Sequence, residues 1–147
     1  EMIATAGEDK LVHLWNAKTG ERTGTLYGHR EAVLAVAFSS DGEKIVTASK
    51  DKTLKLWNAK RKRKLATFCG HENSVGTCSF SPDCSKILSG GEDNVVIEWS
   101  ALNAKRLATI RGHDAPIKGC CYSADGRRII TASTDSMVVM WDSISKR

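Results

Sequence analysis

Four tryptophans are spaced at one fixed interval along the chain, and this regularity constrains the fold more than any other feature of the sequence. They stand at positions 15, 57, 99 and 141, each 42 residues after the one before. The dipeptide Gly-His keeps the same interval at 28–29, 70–71 and 112–113. So does an aspartate, at Asp9, Asp51, Asp93 and Asp135. No insertion or deletion interrupts the register, so the chain consists of repeats of one structural unit.

Each repeat contains short segments in which apolar and polar residues alternate, which is typical of half-buried β-strands. Turn residues such as Ser40-Asp41-Gly42 separate these segments, and no helical periodicity is present. The pattern therefore predicts an all-β chain. The predicted strands lie at about 2–7, 11–15, 22–27, 33–38, 44–49, 53–57, 64–68, 75–80, 86–91, 95–99, 106–110, 117–122, 128–133 and 137–141.

The period, the Gly-His dipeptides and the tryptophans together resemble the WD-repeat (WD40) β-propeller family over nearly the whole chain. The resemblance implies four-stranded antiparallel blades. Since 147 residues divided by the 42-residue interval gives about 3.5 repeats, we expect a partial propeller. It would comprise an incomplete blade, two repeats, and a repeat lacking its last strand, at 1–27, 28–69, 70–111 and 112–147. The remaining blades would come from a longer chain, which we favour, or from self-association.

A second set of residues recurs at the same interval, because a hydroxyl side chain stands four residues before each aspartate. Each full repeat thus carries a histidine, a hydroxyl, an aspartate and a tryptophan, which we name a quartet. By resemblance to the family, the aspartate accepts a hydrogen bond from the histidine, the histidine bonds the hydroxyl, and the hydroxyl accepts one from the tryptophan. The quartets are His29, Thr47, Asp51 and Trp57; His71, Ser89, Asp93 and Trp99; and His113, Thr131, Asp135 and Trp141.

A histidine beside an aspartate and a hydroxyl also allows a hydrolase interpretation, in which the imidazole removes a proton from the hydroxyl. Two observations oppose it. The set recurs three times, whereas a catalytic triad needs one copy with a substrate pocket. The indole N–H has no part in that chemistry, but it fits a closed hydrogen-bond network. We therefore interpret the quartets as structural, and we expect no catalytic residue, no cofactor and no metal site.

Residues that vary between repeats are the better candidates for recognition. The family resemblance places the loops around Gly-His and around the aspartate on the narrow top face. There the residues three and five after each histidine, and the one before each aspartate, would contact partners. We name them the top-face set: Glu8, Ala32, Leu34, Lys50, Ser74, Gly76, Glu92, Pro116, Lys118 and Thr134. The sequence thus predicts a non-enzymatic scaffold for protein or peptide partners, and ordinary solvated loop residues are the alternative at any single position.

The net charge of +5 has one source, the segment Lys60–Lys64. Of 22 Lys and Arg residues five lie in this segment, and the others equal the 17 Asp and Glu residues. The resemblance places the segment in a loop on the bottom face. Binding of an anionic surface or of nucleic acid there is the alternative function. Aromatic residues do not interleave with the charges, so base stacking is unsupported and nucleic acid is the disfavoured partner.

The five cysteines have irregular spacings that fit no metal motif, and they indicate a reducing compartment, the cytoplasm or the nucleus. Cys78 and Cys120 are predicted to fill buried positions, and Cys121 would point to the other face of its strand. No apolar run approaches the roughly 20 residues of a membrane helix. We therefore expect no membrane association. The sequence also has no long loops, no glycine-rich phosphate cradle and no metal constellation, so we expect no small-molecule substrate.

Two residues break the repeat pattern. The residue before each tryptophan is Leu14, Leu56, Glu98 or Met140, and a carboxylate on this apolar face needs a partner. We expect Glu98 to form a salt bridge at the exposed rim, with a partner contact as the alternative. Cys84 occupies the turn position that is glycine in the sister repeats. Because a positive φ would strain a cysteine, we expect a different turn type there.

Overall fold

A computed structural model describes residues 1–147, and it contains 14 β-strands and no helix. Each strand lies within one residue of its predicted bounds at either end. The strands are β1 (Met2–Ala6), β2 (Val12–Asn16), β3 (Arg22–Leu26), β4 (Val33–Phe38), β5 (Lys44–Ser49), β6 (Thr53–Asn58), β7 (Arg63–Cys69), β8 (Val75–Phe80), β9 (Lys86–Gly91), β10 (Val96–Ser100), β11 (Arg106–Ile110), β12 (Ile117–Tyr122), β13 (Arg128–Ser133) and β14 (Val138–Asp142).

Strands that follow one another in sequence pair antiparallel and form four separate sheets. We name these sheets blade 1 (β1–β3), blade 2 (β4–β7), blade 3 (β8–β11) and blade 4 (β12–β14). The first and last blades have three strands, and the two between them have four. The predicted all-β fold of antiparallel propeller blades is thus confirmed. The structure offers no helix with the length and apolar character needed to cross a membrane.

The core lies between the blades, because the sheets stack face to face. At the junction of blades 2 and 3, Leu54, Leu56 and Phe68 belong to one buried cluster with Ile87 and Trp99. The Phe68 and Trp99 rings meet edge to face, with centroids 5.6 Å apart. This is a favourable arrangement for two aromatic rings. The central strand β5 has a neighbouring blade on both sides, so nearly all of its residues are buried whichever way they point.

The same positions are open at the two ends of the arc, which is not closed into a ring. Val138 and Met140 are 70% and 64% exposed. Their counterparts in blade 2, Leu54 and Leu56, are 0% and 2% exposed because blade 3 covers them. On the opposite end Ile3 is half exposed. Blades 1 and 4 thus each present an apolar face of the kind that is buried at every internal junction.

The turn at Cys84 contradicts the sequence prediction. Cys84 has a φ of 59°, close to the 70° of Gly42, and its N–H donates to Ser81 O at 2.9 Å, as that of Gly42 does to Ser39 O. The predicted change of turn type is therefore wrong. Asp83 fixes the conformation, because it accepts hydrogen bonds from the Ser81 hydroxyl at 2.6 Å and from the Ser85 hydroxyl at 2.8 Å. Strained backbone persists where surrounding contacts over-determine it.

Glu98 forms the predicted ion pair, but in the interior. It is 3% exposed and accepts from Lys146 Nζ at 2.7 Å and from the Tyr122 hydroxyl at 2.7 Å, with Lys86 Nζ at 3.4 Å. The expected position at the exposed rim is wrong, because residues of blade 4 and of the segment after it cover the carboxylate. Burial raises the pKa of Glu98, but the hydrogen bonds from Lys146 and Tyr122 outweigh it and hold that pKa below its usual range.

The cysteines are all free thiols. Cys78 and Cys120 are buried as predicted, while Cys121 is exposed on the other face of β12. Burial raises the pKa of Cys120 to about 12. The two buried thiols are therefore protonated and serve as small apolar fillers.

Candidate functional site

The quartet of blade 3 forms one continuous hydrogen-bond chain across two strands, the Gly-His loop and the turn between those strands. His71 Nδ1 lies 2.8 Å from the Asp93 carboxylate. His71 Nε2 lies 2.7 Å from Ser89 Oγ, and Trp99 Nε1 donates to the same oxygen at 2.7 Å. The carboxylate only accepts hydrogen bonds, so Nδ1 must carry the proton and Nε2 accepts from the hydroxyl. All four side chains are thus satisfied within the blade.

The other two quartets repeat this geometry. In blade 2 the histidine–aspartate, histidine–hydroxyl and tryptophan–hydroxyl distances are 2.8, 2.7 and 2.9 Å. In blade 4 they are 2.6, 2.7 and 2.9 Å. Each aspartate also accepts from the backbone N–H that follows the histidine, as Asp51 does from Arg30 at 2.9 Å. The aspartate therefore fixes the Gly-His loop to the turn between the second and third strands.

The electrostatics favour neutral histidine in the quartets of blades 2 and 3 and an ionised aspartate in that of blade 2. Burial lowers the pKa of His29 and of His71, and the adjacent carboxylate offsets only part of this effect. Burial raises the pKa of Asp51, but hydrogen bonds from Thr53, the Arg30 backbone and His29 outweigh it and bring the value to about 2. At neutral pH the histidine thus carries one proton, as the hydrogen-bond chain requires.

The quartet hydroxyls are inaccessible, which bears on the hydrolase interpretation. Thr47, Ser89 and Thr131 are each 0% exposed. A nucleophile must meet a substrate carbonyl beside an oxyanion hole. None of these oxygens offers a surface for that contact, and each already accepts an indole N–H. No group of three or more His, Cys, Asp or Glu side chains is arranged to hold a metal ion.

Blade 1 uses a different histidine, which sequence reasoning missed. His13 Nε2 lies 3.1 Å from Asp9 Oδ2, and His13 Nδ1 lies 3.1 Å from Thr25 Oγ1. Trp15 donates to Thr5 Oγ1 at 2.9 Å as in the other blades. The signal was available, because the position of His13 is apolar in two later repeats, as Ile97 and Val139, and a polar residue there departs from them.

Three members of the top-face set stand at β-bulges. In β4 Val33 pairs with Ser49 and Ala35 with Ala48, so Leu34 has no partner across the ladder. Gly76 and Lys118 hold the same position in β8 and β12, where the register shifts in the same way. Leu34 and Lys118 are exposed. A bulge re-aims the extra residue away from the sheet. Periodicity alone gives no sign of a bulge. The sequence therefore predicted these residues as top-face positions, but it did not predict the bulges at which they lie.

The residue before each quartet aspartate is held beside the Gly-His loop by a repeated backbone contact. The N–H of Lys50 donates to Ala32 O at 3.0 Å, that of Glu92 to Ser74 O at 2.8 Å, and that of Thr134 to Pro116 O at 3.1 Å. Lys50, Glu92 and Thr134 are exposed, as is Glu8 in blade 1. The two loops that carry the top-face set therefore adjoin one another in each full repeat.

The positions three residues after the histidines contribute less surface than expected. The side chain of Ala32 is buried, so its expected contact with a partner is wrong, and its carbonyl serves the backbone contact instead. Ser74 and Pro116 are half-buried. The accessible part of the top-face set thus consists chiefly of the bulge positions and the residues before the aspartates.

The basic segment Lys60–Lys64 is divided between a turn and a strand. Its first three residues lie in the turn after β6, where the Lys62 ammonium contacts the Thr23 carbonyl of blade 1. Arg63 and Lys64 belong to β7, and the register pairs Lys64 with Trp57. The five charges therefore do not form one loop, and Lys64 lies beside Lys55, a residue that sequence reasoning overlooked.

Comparison with known proteins agrees with this geometry. A family model described as "WD domain, G-beta repeat" matches residues 20–58, 62–100 and 104–142, which together make up most of the chain. The human F-box-like/WD repeat-containing protein TBL1Y is 48% identical over 42 residues, which are 29% of this chain and 8% of that protein. The chain therefore matches only a small part of this relative.

Proposed function

Because the chain belongs to the WD-repeat (WD40) family, whose members generally serve as scaffolds for protein interactions, we propose that it docks a peptide or protein partner on its top-face set. The observation that carries the proposal is the recurring bulge of the inner strands. In blades 2 and 4 it leaves an exposed variable side chain, Leu34 or Lys118, without a partner in the ladder, whereas the bulge residue of blade 3 is Gly76, which has no side chain. Such loops on a rigid scaffold are suited to binding.

The quartets support this proposal by making the surface rigid. In each full repeat an aspartate is bonded to both loops that carry the top-face set, as Asp93 is to the N–H of Glu72 and to that of Val95. A surface that is already ordered loses little conformational freedom when a partner binds, so more of the contact energy appears as affinity. The identical quartets thus maintain the framework, and the variable residues select the partner.

The chemistry of the accessible residues indicates the kind of partner. Lys50 and Lys118 supply positive charge, Glu92 supplies negative charge, and Leu34 is 40% exposed as an apolar contact. A surface that carries charges of both signs and an exposed apolar residue favours a peptide that itself carries both signs. Their arrangement would govern which partner is accepted and how fast it associates.

Charge reversal of Lys50 and of Glu92 tests the proposal. Partners captured from a cell extract by the wild-type chain would be measured again with Lys50→Glu and with Glu92→Lys. Lys18→Glu and Glu43→Lys are matched controls, because both residues are exposed in turns at the opposite end of the blades. We expect the first pair to lose the partner at an unchanged melting temperature, while the controls retain it. Equal retention by all four variants would show that the partner binds elsewhere.

We further propose that other blades cover the two apolar end faces. Support comes from Val138 and Met140, which are exposed where Leu54 and Leu56 are buried against the next blade. Blades of the same longer protein are the favoured source, and a second copy of this chain is the alternative. The mass of the 147-residue chain in solution separates them, because a discrete dimer would indicate self-association. Five free thiols favour action in the cytoplasm or the nucleus.

A further inference from the structure

A cavity of about 320 Å³ opens on blade 2 beside the Gly-His loop and the aspartate turn, and no residue of the top-face set lines it. It lies between the loop after β3, the turn before β6 and the strand β7. Most of its lining residues are polar, and they include three cations, Arg30, Lys55 and Lys64, together with Thr67. The proposed docking of a partner makes no use of this cavity.

Lys55 is the unusual member of the lining. It is 7% exposed, and its ammonium makes one hydrogen bond within the protein, to Thr67 Oγ1 at 3.3 Å. No carboxylate lies within salt-bridge distance of it. An ammonium has three protons to donate, and lysine is almost never buried without a partner. The remaining donors of Lys55 face a cavity in which the protein supplies no acceptor for them.

The one carboxylate in the lining does not supply the missing partner. Both oxygens of Asp51 are engaged within blade 2, Oδ2 by His29 and the Arg30 N–H, and Oδ1 by the N–H and hydroxyl of Thr53. Three cations against one carboxylate leave a net charge of +2. Burial lowers the pKa of Lys55, and the adjacent Lys64 lowers it further. The charge of the cavity is thus uncompensated.

The repeats provide an internal comparison. Blade 3 has a cavity at the equivalent place, and each of its lining residues lies 42 positions after its counterpart in blade 2. There Glu72 replaces Arg30 and Ile97 replaces Lys55, and the cavity has only about 50 Å³. The blade fold therefore does not require a lysine at this position. The basic cavity is a property of blade 2 alone among the two four-stranded blades.

We propose that the cavity of blade 2 binds a doubly charged tetrahedral oxyanion, a phosphoryl group in chemical class. The ammoniums of Lys55 and Lys64 and the guanidinium of Arg30 donate charge-assisted hydrogen bonds to its oxygens. The Thr67 hydroxyl accepts from Lys55, so its own hydrogen is free to donate to the same group. The group is either a free anion or the phosphorylated side chain of a peptide, and its chemistry is the same in both cases.

Calorimetric titration of the 147-residue chain with inorganic phosphate tests the site. Lys55→Ile introduces the residue that blade 3 has at this place, and Arg30→Glu introduces the one it has for Arg30. Lys60→Ile removes the same charge from an exposed turn and is the control. We expect phosphate to bind the wild type and the control alike, and each cavity variant to bind about tenfold more weakly or worse.

Thermal melting of the same variants separates loss of the site from loss of the fold. Removing an unpaired buried cation relieves a desolvation cost, so Lys55→Ile should melt at the same or a higher temperature than the wild type. The absence of phosphate binding by a folded wild type would overturn the proposal, and so would equal binding by wild type and folded Lys55→Ile. A pentapeptide with a central phosphoserine between glycines identifies the source of the phosphoryl group. If the peptide binds more tightly than phosphate, the natural ligand is a phosphorylated peptide. If the two bind equally, the ligand is a free anion.

Discussion

Trp99 donates a hydrogen bond of 2.7 Å from its indole N–H to the hydroxyl of Ser89, and this contact joins the third strand of blade 3 to the second. The same hydroxyl bonds His71, which in turn bonds the aspartate that holds both loops of the blade. The rigidity of the proposed binding surface therefore depends on a residue that the surface does not expose.

Ser89→Ala should lower the free energy of unfolding by about 2 kcal/mol, because it leaves the Trp99 N–H without its acceptor and His71 without its donor in a buried site. Urea denaturation followed by tryptophan fluorescence measures this loss. Ser79→Ala is the matched control, since the Ser79 hydroxyl is buried and has no hydrogen-bond partner. That variant should be as stable as the wild type or more so. Equal denaturation midpoints for the two variants would contradict the account.

Acid should destabilise the protein in two stages. The pKa of His29 and of His71 is lowered in the folded state below 6.5, so the unfolded state binds more protons as the pH falls through that value and stability declines. Asp51 titrates near 2 instead of 3.8, so its contribution is present above about pH 4 and is lost as the pH falls toward 2. Urea denaturation at a series of pH values measures both stages.

The first of these stages has a specific control. A His29→Gln, His71→Gln double variant should be less stable throughout and should lose less stability between pH 7 and pH 5 than the wild type. Constant or increasing wild-type stability on acidification across this range would show that the quartet histidines are not held neutral.

Cys84→Gly should stabilise the chain by about 0.5–1 kcal/mol. A positive φ costs a residue with a side chain roughly 1–2 kcal/mol, which the glycine variant avoids. The greater conformational freedom of glycine in the unfolded state cancels part of this stabilisation. Gly42→Ala, the reverse change in the sister turn, should be destabilising. Thermal melts of both variants measure the two effects. A loss of stability in Cys84→Gly would mean that the 3.0 Å contact between the Cys84 thiol and the Ser40 hydroxyl outweighs the strain.

Tyr122→Phe should cost about 1.5–3 kcal/mol in the wild type, because it removes a hydrogen bond to the buried Glu98 carboxylate. In a Glu98→Leu background, which restores the residue found at Leu56, the same change should cost almost nothing. Unfolding free energies of the four proteins form a double-mutant cycle. Additive effects would contradict direct coupling between the two side chains.

The sequence predicted the strands and the quartets because both recur every 42 residues, and recurrence reveals a local requirement of the blade. The sequence prediction failed at the two residues that break the repeat pattern, because other contacts in the structure accommodate them. The turn at Cys84 keeps its shape through hydrogen bonds to Asp83, and Glu98 is buried because Lys146, far along the chain, covers it. The first contact lies within one turn, and the sister turns have the same serine–aspartate bond. The second depends on packing of the chain after blade 4 against blade 3, which no pattern within a repeat encodes.

The bulges were missed for a different reason. All six residues of β4 are apolar, so its sequence gave no sign that the ladder skips Leu34. Lys55 was likewise treated as an ordinary strand residue, although its counterparts Ile97 and Val139 are apolar. Comparing each position across the repeats would have identified Lys55, whereas a bulge is a property of strand register and becomes visible only in the paired structure.

Photo-cross-linking from the bulge positions tests the central claim most directly. A benzophenone amino acid would replace Leu34 or Lys118 in separate variants, and Leu102, which is 92% exposed in a turn at the opposite end of blade 3, would serve as the control. After irradiation with the partner that the wild-type chain captures, we expect adducts from the two bulge positions and none from position 102. Adducts from position 102 with none from the bulges would contradict docking on the top-face set.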